Sequence, residues 1–116
     1  MGVFEKYVAA WETKDEDAMS AITHEEYMYL TTDSLVARSG LFREFRKGWS
    51  GRSLTNTDFK LVIETEDIMV MTFFEMDENG NKDFRTEACL LEDGKIWRSS
   101  SKAVPSEQKD MGGLRQ

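Results

Sequence analysis

The sequence has 116 residues, of which 40% are hydrophobic and 32% charged, with a net charge of −7 at pH 7. That length fits one domain with a core large enough to need no covalent staple, and the composition excludes a disordered chain. The acidity and the scatter of the basic residues disfavour a nucleic-acid partner; the single cysteine, Cys89, excludes an intrachain disulfide, and no apolar run approaches the ~18 residues of a membrane span.

From Val3 to Thr13 the apolar residues Val3, Phe4, Tyr7, Val8 and Trp11 recur at helical spacing and predict an amphipathic helix. The charged pair Glu5 and Lys6 interrupts this stretch too early for a secretory signal, so a cytoplasmic location is expected. Thr13 followed by Glu16 reads as a capping box, and Asp15 and Asp17 favour a helix start. A short second helix is therefore predicted from Asp15 to Ile22, burying Ala18, Met19 and Ile22. Tyr27 to Leu30 is an aromatic-rich strand. Thr31 to Arg38 follows neither period and predicts a loop. Ser39 is placed to cap a third helix with Leu41, Phe42, Phe45 and Trp49 on one face, ended by Gly48 and Gly51.

Beyond Gly51 the period becomes strand-like. Thr55 to Thr65 carries Phe59, Leu61 and Ile63 in alternation, and Glu66-Asp67 is a turn. Ile68 to Met76 is dense enough in β-branched, aromatic and methionine residues to be covered on both faces, Met69, Met71 and Met76 serving as core filler. Asn79-Gly80 and Asp93-Gly94 mark hairpin turns around strands Lys82 to Leu91 and Lys95 to Val104, so an antiparallel meander is predicted. Pro105 closes the last strand. The fold class is α+β, with N-terminal helices packed in a curved antiparallel sheet, in a single domain over 1–104 followed by a flexible tail over 105–116.

Alternation on the third long strand groups Arg85, Glu87, Cys89 and Leu91 on one face, and Phe84, Thr86, Ala88 and Leu90 on the other. Both faces are partly apolar, so one is expected under the helices and the other against a second copy of the chain, as a homodimer through the outer sheet face. Arg85 and Glu87 are either polar residues of a wet pocket or an ion pair on the outer surface. Two residues apart on one face, they are close enough for the guanidinium to hold the carboxyl ionised. Tyr7 lies in the buried stripe of the first helix, with Trp11 one turn on as a candidate pocket wall, and Trp97 shares a strand face with Ser99 and Ser101. His24 has no second histidine to form a metal set and is read as complementing a helix C-terminus. Cys89 reads as a small buried hydrophobe. No phosphate loop is present, and neither metal nor cofactor is expected.

The order helix, short helix, strand, helix, meander resembles the nuclear transport factor 2-like cone fold, whose members include ketosteroid isomerases and SnoaL-like polyketide cyclases. Lys6-Tyr7-Val8-Ala9-Ala10-Trp11 with Asp15 and Asp17 is similar to the first two helices of a ketosteroid isomerase, and Ser39-Gly40 with Phe42-Arg43-Glu44-Phe45 to the entry of the third. The resemblance spans Val3 to about Val104 and implies a cofactor-independent pocket protein for a small apolar ligand. It matches Tyr7 to a tyrosine that donates to the substrate oxygen and Glu87 to a neutral carboxylic acid that does the same. The proton-transferring carboxylate falls on Thr31, which cannot serve as that base, leaving Asp33 as its substitute. Standard ketosteroid isomerization is therefore not expected. Trp11, Tyr27, Tyr29, Arg85, Cys89, Trp97 and Ser99 are the expected pocket lining. An isomerase, cyclase or dehydratase acting on a carbonyl-type ligand is one reading; a non-catalytic binding or oligomerization module of the same fold is the other.

Overall fold

The computed structural model describes residues 2–30, 35–49, 55–76 and 79–104, without the side chains of 44–49, 55 and 104. Thr31, Asp33, Gly51 and the expected tail at 105–116 lie outside the described residues, as do the side chains of Phe45 and Trp49. The elements run α1 (Val3–Thr13), α2 (Glu16–Ala21), β1 (Thr23–Leu30), β2 (Leu35–Ala37), α3 (Arg38–Trp49), β3 (Thr55–Glu64), β4 (Ile68–Met76), β5 (Lys82–Glu92) and β6 (Lys95–Val104).

Helix α1 buries Val3, Tyr7 and Ala10, the stripe its spacing predicts. Its first turn is capped from a distance: the Glu64 carboxylate at the end of β3 accepts from the Val3 and Phe4 N–H groups at 3.0 and 3.2 Å. A negative charge at a helix N-terminus is favoured by the aligned peptide dipoles. Gly2 makes this possible, since a Cβ there would stand 2.6 Å from Glu64 Oε2. The cap of α2 is Asp15 and not Thr13. Lys14 turns into the left-handed region (φ 57°) and ends α1, so Asp15 becomes the first free acceptor and takes the Ala18 N–H at 3.0 Å. Thr13 remains helical and donates to the Ala9 carbonyl.

Strand β1 begins at Thr23, earlier than the aromatic run suggests. His24 accordingly lies in a strand and not at a helix C-terminus, its Nδ1 accepting the Glu26 N–H at 3.0 Å. The stretch read as a loop contains β2, which pairs antiparallel with β1 from Met28↔Ala37 to Leu30↔Leu35. A three-residue edge strand with exposed ends is too short to show a period. Helix α3 starts directly from it at Arg38, whose guanidinium donates to Ser20 Oγ at 2.6 Å and lies 4.8 Å from the centre of the Phe42 ring. The helix runs through Gly48 to Trp49, so Gly48 does not end it.

Six strands form one sheet in the order β2-β1-β6-β5-β4-β3. The meander β3 to β6 is antiparallel as predicted, but β6 pairs parallel with β1, so the sheet is mixed. The crossover that a parallel pair requires is the whole intervening chain: α3 carries the chain to the far edge and the meander walks back until β6 meets β1. Asp93 and Gly94 both take positive φ (54° and 73°), the geometry of a two-residue turn that matches the twist of β5 and β6.

Two irregularities shift residues away from simple alternation. In β3, register breaks after Thr57 and after Leu61, together with the positive φ of Asp58, leave Phe59 against the core and Leu61, Val62 and Ile63 exposed together. The expected Phe59-Leu61-Ile63 face is therefore not continuous. In β6, Leu91 faces Ile96 while Leu90 faces Arg98, which makes Trp97 an extra, bulged residue. The core gathers α1, α2 and the inner sheet face, including Tyr7, Met19, Met69, Met71, Phe73 and Cys89.

Candidate functional site

The inner face of the sheet and the helices enclose a cavity of about 270 Å³. A wider depression of about 820 Å³ at the start of α1 is open and rimmed by carboxylates. The smaller cavity is the one in which apolar walls converge on buried polar groups, the usual composition of a ligand site. Trp11 of α1, Met19 of α2, Val36 of β2, Leu41 of α3, Phe73 of β4 and Ile96 of β6 supply its apolar wall.

Period two decides what faces it. On β5 the residues Glu87, Cys89 and Leu91 are buried and Thr86, Ala88 and Leu90 exposed, so the Arg85-Glu87 face is the inner one. On β1 the same period turns Tyr27 and Tyr29 inward. Their hydroxyls bond the inward serines of β6: Tyr27 with Ser99 at 2.5 Å, and Tyr29 with Ser101.

Glu87 is a carboxyl only 8% exposed, in line with the core residues Met69 and Met71 of the neighbouring strand, and Met71 is its register partner. Burial disfavours its anion and pushes its pKa to about 7. The Cys89 thiol, which donates to Glu87 Oε2 at 3.7 Å, and the more distant Arg85 oppose that rise, and Glu75 adds to it. Arg85 does not pair with Glu87. Antiparallel register sets it opposite Phe73, and its Nη1 reaches along β4 to donate to Glu75 Oε1 at 3.2 Å, while Nη2 donates to Ser101 Oγ at 2.8 Å. The expectation that Arg85 holds Glu87 ionised thus gives way to a carboxyl that is half protonated near neutrality. Burial lifts the Tyr7 phenol well above its ordinary range and Glu87 lifts it further; a side-chain hydrogen bond with Trp11 works in the opposite direction. Tyr27 is raised for the same two leading reasons.

Of the residues singled out from the sequence, Tyr7, Trp11, Tyr27, Tyr29, Arg85 and Glu87 border the cavity together. Cys89, Ser99 and Trp97 do not. Cys89 and Ser99 are buried, each hydrogen-bonded to a residue of the wall, Glu87 and Tyr27 respectively. The β6 bulge takes Trp97 out of the Ser99–Ser101 face, where it packs under the Arg98 guanidinium at 3.9 Å. Asp33 lies outside the described residues. Sequence reasoning missed Glu75 and Asn56, which also border the cavity. Glu75 was readable as the next inward residue after Met71 and Phe73. Asn56 was not, because the bulges of β3 erase its period.

The fold is the nuclear transport factor 2-like, cystatin-like fold. Among solved structures, a candidate polyketide cyclase from Sinorhizobium meliloti superposes with a TM-score of 0.70 at 15% identity, covering 86% of this chain and 93% of that one. A nuclear transport factor 2-like protein from Burkholderia xenovorans gives 0.70 at 11% identity over 93% and 91% of the two chains. A candidate SnoaL-like isomerase from Agrobacterium tumefaciens gives 0.64 at 11% over 89% and 95%. No family model matches the sequence, and no curated protein does. Among the described residues no helix is long and apolar enough to cross a membrane.

Proposed function

We propose that this chain binds a small, largely apolar carbonyl compound in the inner cavity and acts on it as a cofactor-independent acid–base enzyme of the isomerase, cyclase or dehydratase type. The observation that carries this reading is Glu87: a buried carboxyl poised at about pH 7 beside Tyr7, in a wall that combines apolar side chains with a few polar groups. A group titrating near the working pH can both donate and accept a proton, the condition for efficient general acid–base catalysis. In the neutral form Glu87 and the Tyr7 hydroxyl donate to the ligand oxygen as negative charge develops there. Asp33 is the proposed base, on sequence grounds. The volume holds roughly nine waters' worth of ligand, which suits one or two rings better than four.

The test measures binding of para-ethylphenol and cyclohexenone by thermal shift and calorimetry. Tyr7→Phe is expected to weaken both by about tenfold, and cyclohexenone affinity is expected to fall as pH rises through 7. Absence of binding sinks the proposal. Accelerated exchange of the acidic C–H protons of bound cyclohexenone in deuterium oxide marks catalysis. Binding without exchange favours the second reading, a non-catalytic binding module, which the threonine at position 31 supports.

The proposed assembly is a homodimer through the outer sheet face. There Ile68, Leu90, Arg98 and Met28 form one cross-strand row, and Val70, Ala88, Ser100 and Leu30 the next. The rows bound an apolar depression of about 410 Å³ in which Leu30 and Leu90 are about half exposed. Light scattering is expected to give a dimer mass at micromolar concentration, and Leu90→Lys to give the monomer; a monomeric parent protein refutes the arrangement.

A further inference from the structure

We propose that the cavity carries a second polar subsite, built from Asn56, Glu75 and Arg85, that binds a neutral carboxamide-type group of the same ligand. The proposal rests on the ligand-binding reading above. Asn56 and Glu75 are register partners across β3 and β4, and Arg85 reaches Glu75 from β5, so three strands bring these side chains to one part of the wall. Asn56 Oδ1 is buried and has no hydrogen-bond partner among the described residues. A buried amide oxygen left unpaired is unfavourable, and a donor arriving with a ligand removes that penalty.

The charges of the subsite narrow the class of group it accepts. Glu75 already balances Arg85 at 3.2 Å, and both side chains are 18% exposed. An incoming carboxylate meets the Glu75 carboxylate and cannot satisfy the Asn56 oxygen, because it has no proton to give. A carboxamide supplies N–H donors for Asn56 and Glu75 and an oxygen for the Arg85 guanidinium. Ammonium groups fail at Arg85. Arg85 and Glu87 are two residues apart on one face, about 7 Å along the strand. That separation suits a ring whose oxygen lies at Glu87 and whose para substituent carries the amide. The ligand so defined has a carbonyl or hydroxyl oxygen at one end, an apolar ring, and a neutral amide at the other.

Calorimetry on the full chain with para-ethylphenol, para-hydroxyphenylacetamide and para-hydroxyphenylacetate tests this directly. The amide is expected to bind about tenfold tighter than para-ethylphenol, and the carboxylate no tighter than para-ethylphenol. Asn56→Ala is expected to bring the amide's affinity down to that of para-ethylphenol for the same variant. If para-ethylphenol binds and the amide binds no better, or the carboxylate binds tightest, the subsite is refuted while the ligand-binding reading stands. If none of the three binds, both fall.

Discussion

Glu87→Gln is expected to be more stable than the parent protein at pH 8 and to lose most of that advantage by pH 5. In the folded protein the Glu87 carboxyl titrates at about 7, against 4.5 for the free group. Below pH 4.5 it is protonated in both folded and unfolded states, and its contribution to folding is fully present. As pH rises the unfolded chain ionises first while the folded protein holds its proton. Stability therefore declines until the folded carboxyl also ionises near pH 7, after which the loss is complete. A gap of roughly 2.5 pH units corresponds to about 3 kcal/mol. Glutamine keeps the shape and a hydrogen-bonding oxygen for the Cys89 thiol without a titratable proton. Urea unfolding of both proteins between pH 4 and pH 9 reads the effect as a difference, in which Glu75 and the surface carboxylates largely cancel. The difference should swing towards the glutamine variant by about 3 kcal/mol across that range. A difference that stays flat with pH would show that Glu87 is solvated and ionised throughout.

Phe73→Ala is expected to lose about 3–5 kcal/mol, a large part of the 5–15 kcal/mol that holds an ordinary domain together. Phe73 is 2% exposed and stacks at 5.4 Å on Phe59, which in turn meets Tyr7 edge-on at 5.8 Å. This aromatic file ties the bulged edge strand β3 to β4 and α1, and it forms one wall of the cavity. Truncation opens a void where the walls cannot close without moving β3. Phe73→Leu, which restores most of the volume, is expected to lose less than half as much. Denaturant midpoints measure both changes. A loss below about 1 kcal/mol for the alanine variant would mean that the edge strand repacks freely, since core truncations normally exceed that.

Much of the fold was legible in the chain because burial imposes a period. The stripe of α1, the hairpins at Asn79-Gly80 and Asp93-Gly94, and the grouping of Glu87, Cys89 and Leu91 on one face are local consequences of side-chain direction; that this face is the inner one was not readable. The mixed pairing of β1 with β6 was not legible, since it joins segments far apart in the chain and leaves no mark on either one. Nor was β2, which is too short for a period, or the displacement of Trp97, since a bulge adds one residue without altering composition.

The candidate site divides along the same line. Its members Tyr7, Trp11, Tyr27, Tyr29, Arg85 and Glu87 were readable from alternation, helical spacing and family resemblance. Their electrostatics were not. Sequence spacing made Arg85 the natural partner of Glu87. Cross-strand register instead gave Arg85 to Glu75 and Ser101 and left Glu87 buried without a paired charge, where desolvation raises its pKa. Spacing along one strand fixes which residues share a face of the sheet. Which partner a charge on that face meets depends on the neighbouring strands, and only the tertiary structure sets their register.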